Sequence, residues 1–136
     1  MLVEFAAENI VREESIAALV DRFYTRVRQD EVLGPVFAEK IGDEWEPHLE
    51  TMRAFWSSLM LASGRYKGNP MVKHLLLMPR IGSQHFERWL EIWKRTAAEL
   101  FPPATAAIFV SKAESMAERL LGTIDQHHAS LAVNLI

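Results

Sequence analysis

The chain has 136 residues, 49% hydrophobic and 24% charged, with a net charge of −3, so it is sized for one domain that buries about two-thirds of its unfolded surface. This balance argues against intrinsic disorder, and with a pI near 5.9 no broad basic surface is available for nucleic acid or an anionic membrane. The complete lack of cysteine excludes disulfides, thiol catalysis, Cys-ligated metals and thioether attachment of a cofactor through C-x-x-C-H. No basic start is followed by an apolar run and no apolar stretch of about 18 residues occurs, so the expected location is cytoplasmic, without membrane or nucleic-acid partners. Four Trp, seven Phe and five His are what remains to be explained.

Apolar spacing is helical almost throughout. Ile16, Leu19, Val20, Phe23, Tyr24 and Val27 share one face of a first long helix, with Asn9 as the candidate N-cap. Gly34-Pro35 marks a turn, and a short helix is expected from Pro35 to Ile41, ending on Gly42. A second long helix is expected from about Asp43 to Glu46 through Ala62. Asp43 and Glu46 have capping-box spacing, and Pro47 must lie in the first turn. Its inner face is Trp45, Leu49, Met52, Trp56 and Leu59, with Met60 beside it, and His48 lies one turn from both Trp45 and Met52.

Gly64 to Pro70 reads as a loop. Asn69 and Pro70 then start a short helix carrying His74, closed by Pro79 and Gly82. Ser83 is the expected cap of the next helix, with Phe86, Trp89, Leu90, Trp93, Ala97 and Leu100 inside. Pro102-Pro103 breaks the chain. A last helix turns Ile108, Ala113, Met116, Ala117, Leu120 and Ile124 inward, with Gly122 at its fraying end, and 125–136 is expected to be a flexible tail. No alternating strand pattern occurs. The fold class is all-α, one domain over 1–136 with its core in about 12–124.

The inward polar residues carry the chemistry. His74, among Met71, Val72 and Leu75 to Leu77, needs a partner for its imidazole and is either a satisfied core histidine or a ligand. His48 faces inward from the preceding helix. The two do not match H-E-x-x-H zinc spacing, and no further ligand stands one turn away. A cofactor that brings its own equatorial ligands needs only one or two axial ones, and haem is that cofactor. Phe23, Phe37, Phe55, Trp56, Phe86 and Trp89 are ordinary core or the lining of a flat apolar slot between helices. The buried phenol of Tyr24 bonds either a backbone carbonyl or a ligand, and the Trp89 indole N–H is a donor of the same kind.

Phe23-Tyr24, then Leu33-Gly34-Pro35-Val36-Phe37, Trp45 to His48, Phe55-Trp56, Gly68 to Leu75 and Phe86-Glu87-Arg88-Trp89 follow one another in an order that resembles the truncated, two-over-two haemoglobins, specifically their third group. The resemblance covers about residues 12–121. The Phe-Tyr pair, the Gly-Pro-Val-Phe turn and the Asn-Pro-x-x-Lys-His-Leu segment are its most specific parts, and the double-Gly signatures of the other truncated groups are missing.

The resemblance implies a two-over-two helical sandwich around a non-covalent haem b. It makes His74 the proximal ligand of the iron and Tyr24, His48 and Trp89 the distal polar set. Phe37 would pack on the haem face, Met52 would flank the pocket, and Phe23 and Phe55 would line it. Lys73 would meet a propionate, with Arg53, Arg65, Lys67 and Arg80 as further candidates and Tyr66 as a weaker one. His85, His127 and His128 are expected on the surface. The implied function is binding of O2 or another diatomic ligand opposite His74, held by donors from Tyr24 and Trp89 worth about 1.5–3 kcal/mol each. Slow release suits redox chemistry, either NO dioxygenation or peroxidase-like turnover, better than oxygen transport. An external electron donor is then needed, because the chain carries no flavin motif. Two other readings remain open: a six-coordinate electron-transfer or sensor protein with His48 on the iron, and a cofactor-free helical interaction module.

Overall fold

In the computed structural model, residues 11–66 and 82–134 are described, with only the backbone at 120, 121 and 123–134. The first helix, α1 (Glu13–Gln29), begins where the extended backbone of Arg12 meets Ser15. The Ser15 hydroxyl accepts from the Arg12 N–H at 2.9 Å and donates to the Arg12 carbonyl at 3.0 Å. Arg12 is therefore the N-cap, not Asn9, which lies outside the described residues. Glu13 and Glu14 at the start and Arg26 and Arg28 at the end match the helix dipole. All six apolar positions expected inside are buried.

The turn that follows is made by Asp30, not by Gly34-Pro35. One oxygen of its carboxylate accepts from Val32 N–H at 3.0 Å and Leu33 N–H at 2.9 Å, so α2 (Leu33–Ile41) starts two residues earlier than expected. Pro35 then falls in the first turn, where its missing N–H costs nothing. Gly34 is required there because a Cβ would stand 2.9 Å from the Arg28 carbonyl oxygen. The helix ends on Gly42 at φ +57°, as the sequence predicts.

Helix α3 (Trp45–Leu61) has Glu44 at its N-cap. The expected Asp43–Glu46 capping box is not what holds this end, since Glu46 is drawn to Arg53 at 2.9 Å. Leu59, expected inside, is 38% exposed, and Phe55 is buried. The start of α1 approaches on the Ser57 side: the Ser57 hydroxyl lies 2.7 Å from both Glu13 Oε2 and Ser63 Oγ.

Helix α4 (Ser83–Leu100) has Gly82 as its N-cap in place of Ser83. His85 Nδ1 accepts the Gly82 N–H at 3.0 Å, so this half-buried histidine closes the helix start and is no surface bystander. Phe101 ends α4, and α5 (Pro103–Asn134) begins with proline at its first position. On α5 the expected Ile108 is 49% exposed while Phe109 is fully buried, because the larger ring fills the space beside Trp56, Trp93 and Phe101. The helical backbone continues through Gly122 to Asn134, past the point where the apolar pattern fades.

Among the described residues all regular structure is helical. Helix α1 packs on α2, α3 and α4, and α4 packs on α5, so two helix pairs, α1 with α3 and α4 with α5, face each other. Trp93 is the hub between them. It stacks on Trp56 at 4.5 Å, takes the edge of Phe23 at 5.0 Å and donates its N–H to the Phe109 carbonyl at 3.2 Å. No described helix is long and apolar enough to cross a membrane.

Asp30 also receives Arg88 Nε of α4 at 2.7 Å. Its partial burial raises the carboxyl pKa, but the Leu33 N–H, Arg88 and the Val32 N–H outweigh this and hold it below the ordinary value. A carboxylate with a depressed pKa contributes stability above its unfolded value and loses it as pH falls through the folded one. Asp30→Ala should therefore cost about 0.5–2 kcal/mol at neutral pH, with the gap to wild type narrowing below about pH 4. Urea unfolding at several pH values checks this; a gap independent of pH would contradict it.

Candidate functional site

Tyr24 lies next to Phe23 on α1 and is 4% exposed. Rings enclose it: Phe23 at 4.8 Å, His48 at 5.0 Å, and Phe37 and Trp45 both at 6.1 Å between centroids. These come from α1, α2 and α3, so one phenol gathers three helices. Burial pushes its pKa well above the ordinary phenol value, which keeps it a protonated donor.

His48 sits in the first turn of α3, half-buried, with Nε2 sealed from solvent. Its ring meets Tyr24 edge-on at 85° and Trp45 at 5.7 Å and 87°. Trp45 precedes it by three residues, nearly one helical turn, which aligns the two side chains. The Arg28 guanidinium lies 4.6 Å over the outer side of Trp45, a cation–π contact that closes this wall. Trp45 and Arg28 were not foreseen as parts of the site. The i, i+3 spacing of Trp45 and His48 was the available signal for the first, and nothing local marked the second.

Trp89 of α4 reaches the same region across Phe23, whose ring it meets at 5.7 Å. Its plane is parallel to that of Trp93 at 6.2 Å, but the two indoles differ in their donors. The Trp93 N–H is bound to the Phe109 carbonyl; among the described residues the Trp89 N–H has no such acceptor. Met52 is buried on α3 one turn beyond His48. Phe55 is buried on the far side of Trp56, between Trp56 at 5.6 Å and Tyr66 at 5.3 Å.

Phe23, Tyr24, Phe37 and His48 thus form one contiguous aromatic cluster, with Trp89 joined to it through Phe23. Phe55 lies in a second branch, reached through Trp93 and Trp56. His74 and Lys73 lie outside the described residues, as do Lys67 and Arg80.

The two described arginines expected near propionates are engaged elsewhere. Arg53 binds Asp21 at 2.9 Å, Glu46 at 2.9 Å and Glu50 at 3.2 Å, and these carboxylates hold its guanidinium more firmly charged than usual. Arg65 pairs with Glu13, and with Glu50 at 2.9 Å. Both act as clamps between α1, α3 and the loop that follows α3.

This arrangement offers two neutral donors and one imidazole within aromatic walls. Among the described residues no group of three His, Asp or Glu side chains could hold a metal ion by itself. The family model of the bacterial-like globins matches residues 6–121. The chain belongs to the bacterial-like globin family. This globin is 34% identical over 110 residues to the group 3 truncated hemoglobin of Campylobacter jejuni subsp. jejuni serotype O:2, covering 79% of this chain and 86% of that protein. Its fold matches the crystal structure of the group III truncated hemoglobin from Campylobacter jejuni with a TM-score of 0.80 at 32% identity, over 84% of this chain and 91% of that one. The all-α truncated-globin fold expected from the sequence is thus the fold observed.

Burial of Tyr24 has a measurable consequence. A phenol whose folded pKa is raised contributes stability below the unfolded value, about 10, and loses it as pH climbs toward the folded one. The globin has only two tyrosines, so Tyr66→Phe leaves Tyr24 alone. In that variant phenolate absorbance should emerge only together with alkaline unfolding. Ionisation near the ordinary value with the helical signal intact would contradict the burial argument.

Proposed function

We propose that this globin holds haem b without covalent attachment, that His74 is the proximal ligand of its iron, and that Tyr24, His48 and Trp89 form the opposite, ligand-facing side. The observation that carries this reading is the convergence of buried Tyr24 and half-buried His48, whose ring centroids lie 5.0 Å apart, with the Trp89 indole across Phe23. The residues present fit such a group: aromatic walls suit a flat apolar macrocycle, and Tyr24 and Trp89 are uncharged donors. Phe37 and Met52, both buried, would supply part of the wall. Lys73, next to His74 in the sequence, would meet a propionate.

When bound, haem supplies an iron that takes O2 or another diatomic ligand. The protein's own groups then decide how firmly that ligand is held. Tyr24 remains a donor across the physiological range because burial disfavours its phenolate. Trp89 can only donate. A hydrogen bond to a ligand carrying partial negative charge is worth about 1.5–3 kcal/mol, which slows release about ten- to hundred-fold. Two such donors favour retention over delivery. The function we infer is therefore redox conversion of a retained ligand, by NO dioxygenation or peroxide reduction, with electrons from an external donor.

Stopped-flow displacement of O2 from the ferrous protein tests the donor assignment. Tyr24→Phe keeps the ring contacts and removes the hydroxyl, so release should quicken about ten- to hundred-fold. An unchanged release rate would remove Tyr24 from the proposed role.

A further inference from the structure

Three of the four tryptophans form a continuous buried stack. Trp89 lies parallel to Trp93 at 6.2 Å and 3°, and Trp93 stacks on Trp56 at 4.5 Å and 24°. From Trp56 the ring contacts continue through Phe55 at 5.6 Å to Tyr66 at 5.3 Å. The series starts at the proposed ligand-facing donor and ends at a half-buried tyrosine. We propose that Trp89, Trp93 and Trp56 relay single electrons between the pocket and Tyr66, and that Tyr66 is where a small hydrogen-atom donor, such as a phenol or an enediol, reduces the protein.

The residue types suit each position. An indole can lose an electron without losing its proton, so it can carry a hole through a dry interior where proton acceptors are scarce. Phenylalanine is not oxidised under such conditions, so Phe55 bridges Trp56 to Tyr66 without becoming a stop. A phenol gives up its proton on oxidation, so the hole settles where water can take that proton. Tyr66 reaches the surface. Tyr24, at the other end beyond Phe23, is buried and faces His48 in place of bulk water, and its phenolate form is strongly disfavoured. Ordinary packing explains large rings in a core; it does not require that their contacts run unbroken from Trp89 to an oxidisable residue at the surface.

The catalytic use of the relay rests on the redox reading given above. Reducing one hydrogen peroxide to two waters takes two electrons and two protons. Two donors AH supply them, H2O2 + 2 AH → 2 H2O + 2 A•. In each half, Tyr66 passes one electron inward and its phenolic proton to water, and then regains a hydrogen atom from AH.

Pulse radiolysis with azide tests the relay without relying on peroxide chemistry. The small neutral azidyl radical oxidises tryptophan, and transfer to tyrosine is followed as indolyl absorption decays into tyrosyl absorption. In wild type this transfer should be independent of protein concentration. It should vanish in Tyr66→Phe, which keeps the ring on Phe55 and so retains the fold, and slow in Trp93→Phe. Absence of intramolecular transfer in wild type, or a tyrosyl signal that survives Tyr66→Phe, would overturn the proposal. An unchanged rate in folded Trp93→Phe would overturn the path. A second arm mixes the haem-loaded protein with hydrogen peroxide and a phenol. Donor oxidation lost in Tyr66→Phe supports Tyr66 as the donor site, and oxidation unaffected by that change overturns it. Intact radiolytic transfer with no peroxide turnover in wild type would overturn the peroxide-reducing use and leave the relay supported.

Discussion

The constraint on which this molecule depends is that Phe23 and Tyr24, adjacent on α1, are both buried. Neighbours on a helix point about 100° apart, so a single partner helix cannot cover both. Phe23 turns to α4, where Trp89 and Trp93 take its edges, and Tyr24 turns to α2 and α3, where Phe37, Trp45 and His48 surround it. Covering α1 on several sides produces the two-pair arrangement. It also sets a phenol beside an imidazole on one side of α1 and an indole on another, joined through Phe23. Fold and candidate site are in this sense one packing solution.

Charged side chains then hold α1 in that orientation. Arg53 ties α3 to Asp21, Arg26 ties α1 to Thr96 and Glu99 of α4, and Arg88 ties α4 to Asp30. Exposed pairs of this kind contribute little individually. Arg53 is an exception in degree, since its side chain is mostly covered and meets three carboxylates. Such pairs select among helix rotations that would bury similar apolar area, and a small rotation of α1 would separate Tyr24 from His48.

How much of this was legible in the sequence depends on the range of the interaction. The buried face of α1 follows from helical spacing alone. The helix starts do not: Ser15, Asp30 and His85 close them from inside or beside the first turn, while the sequence offered Asn9, Gly34-Pro35 and Ser83 as more conventional signals. Leu59 and Ile108 have the right period, but neighbours from other helices favour Phe55 and Phe109. The fates of Arg53 and Arg65 were invisible, because Asp21 and Glu13 are distant along the chain and charge alone does not choose between a carboxylate within the protein and a ligand. The grouping of Tyr24, His48 and Trp89 came from family resemblance; the ring contacts join Tyr24 to His48 directly and to Trp89 through Phe23.

The proposed function rests on haem held through His74, a residue outside the described ones. The absorption spectrum of the purified protein, compared with that of His74→Ala, tests it most directly. The wild type should show an intense haem Soret band that is lost or strongly shifted in the variant, with helical content retained in both. A colourless wild type, or an unaltered Soret band in His74→Ala, would contradict it.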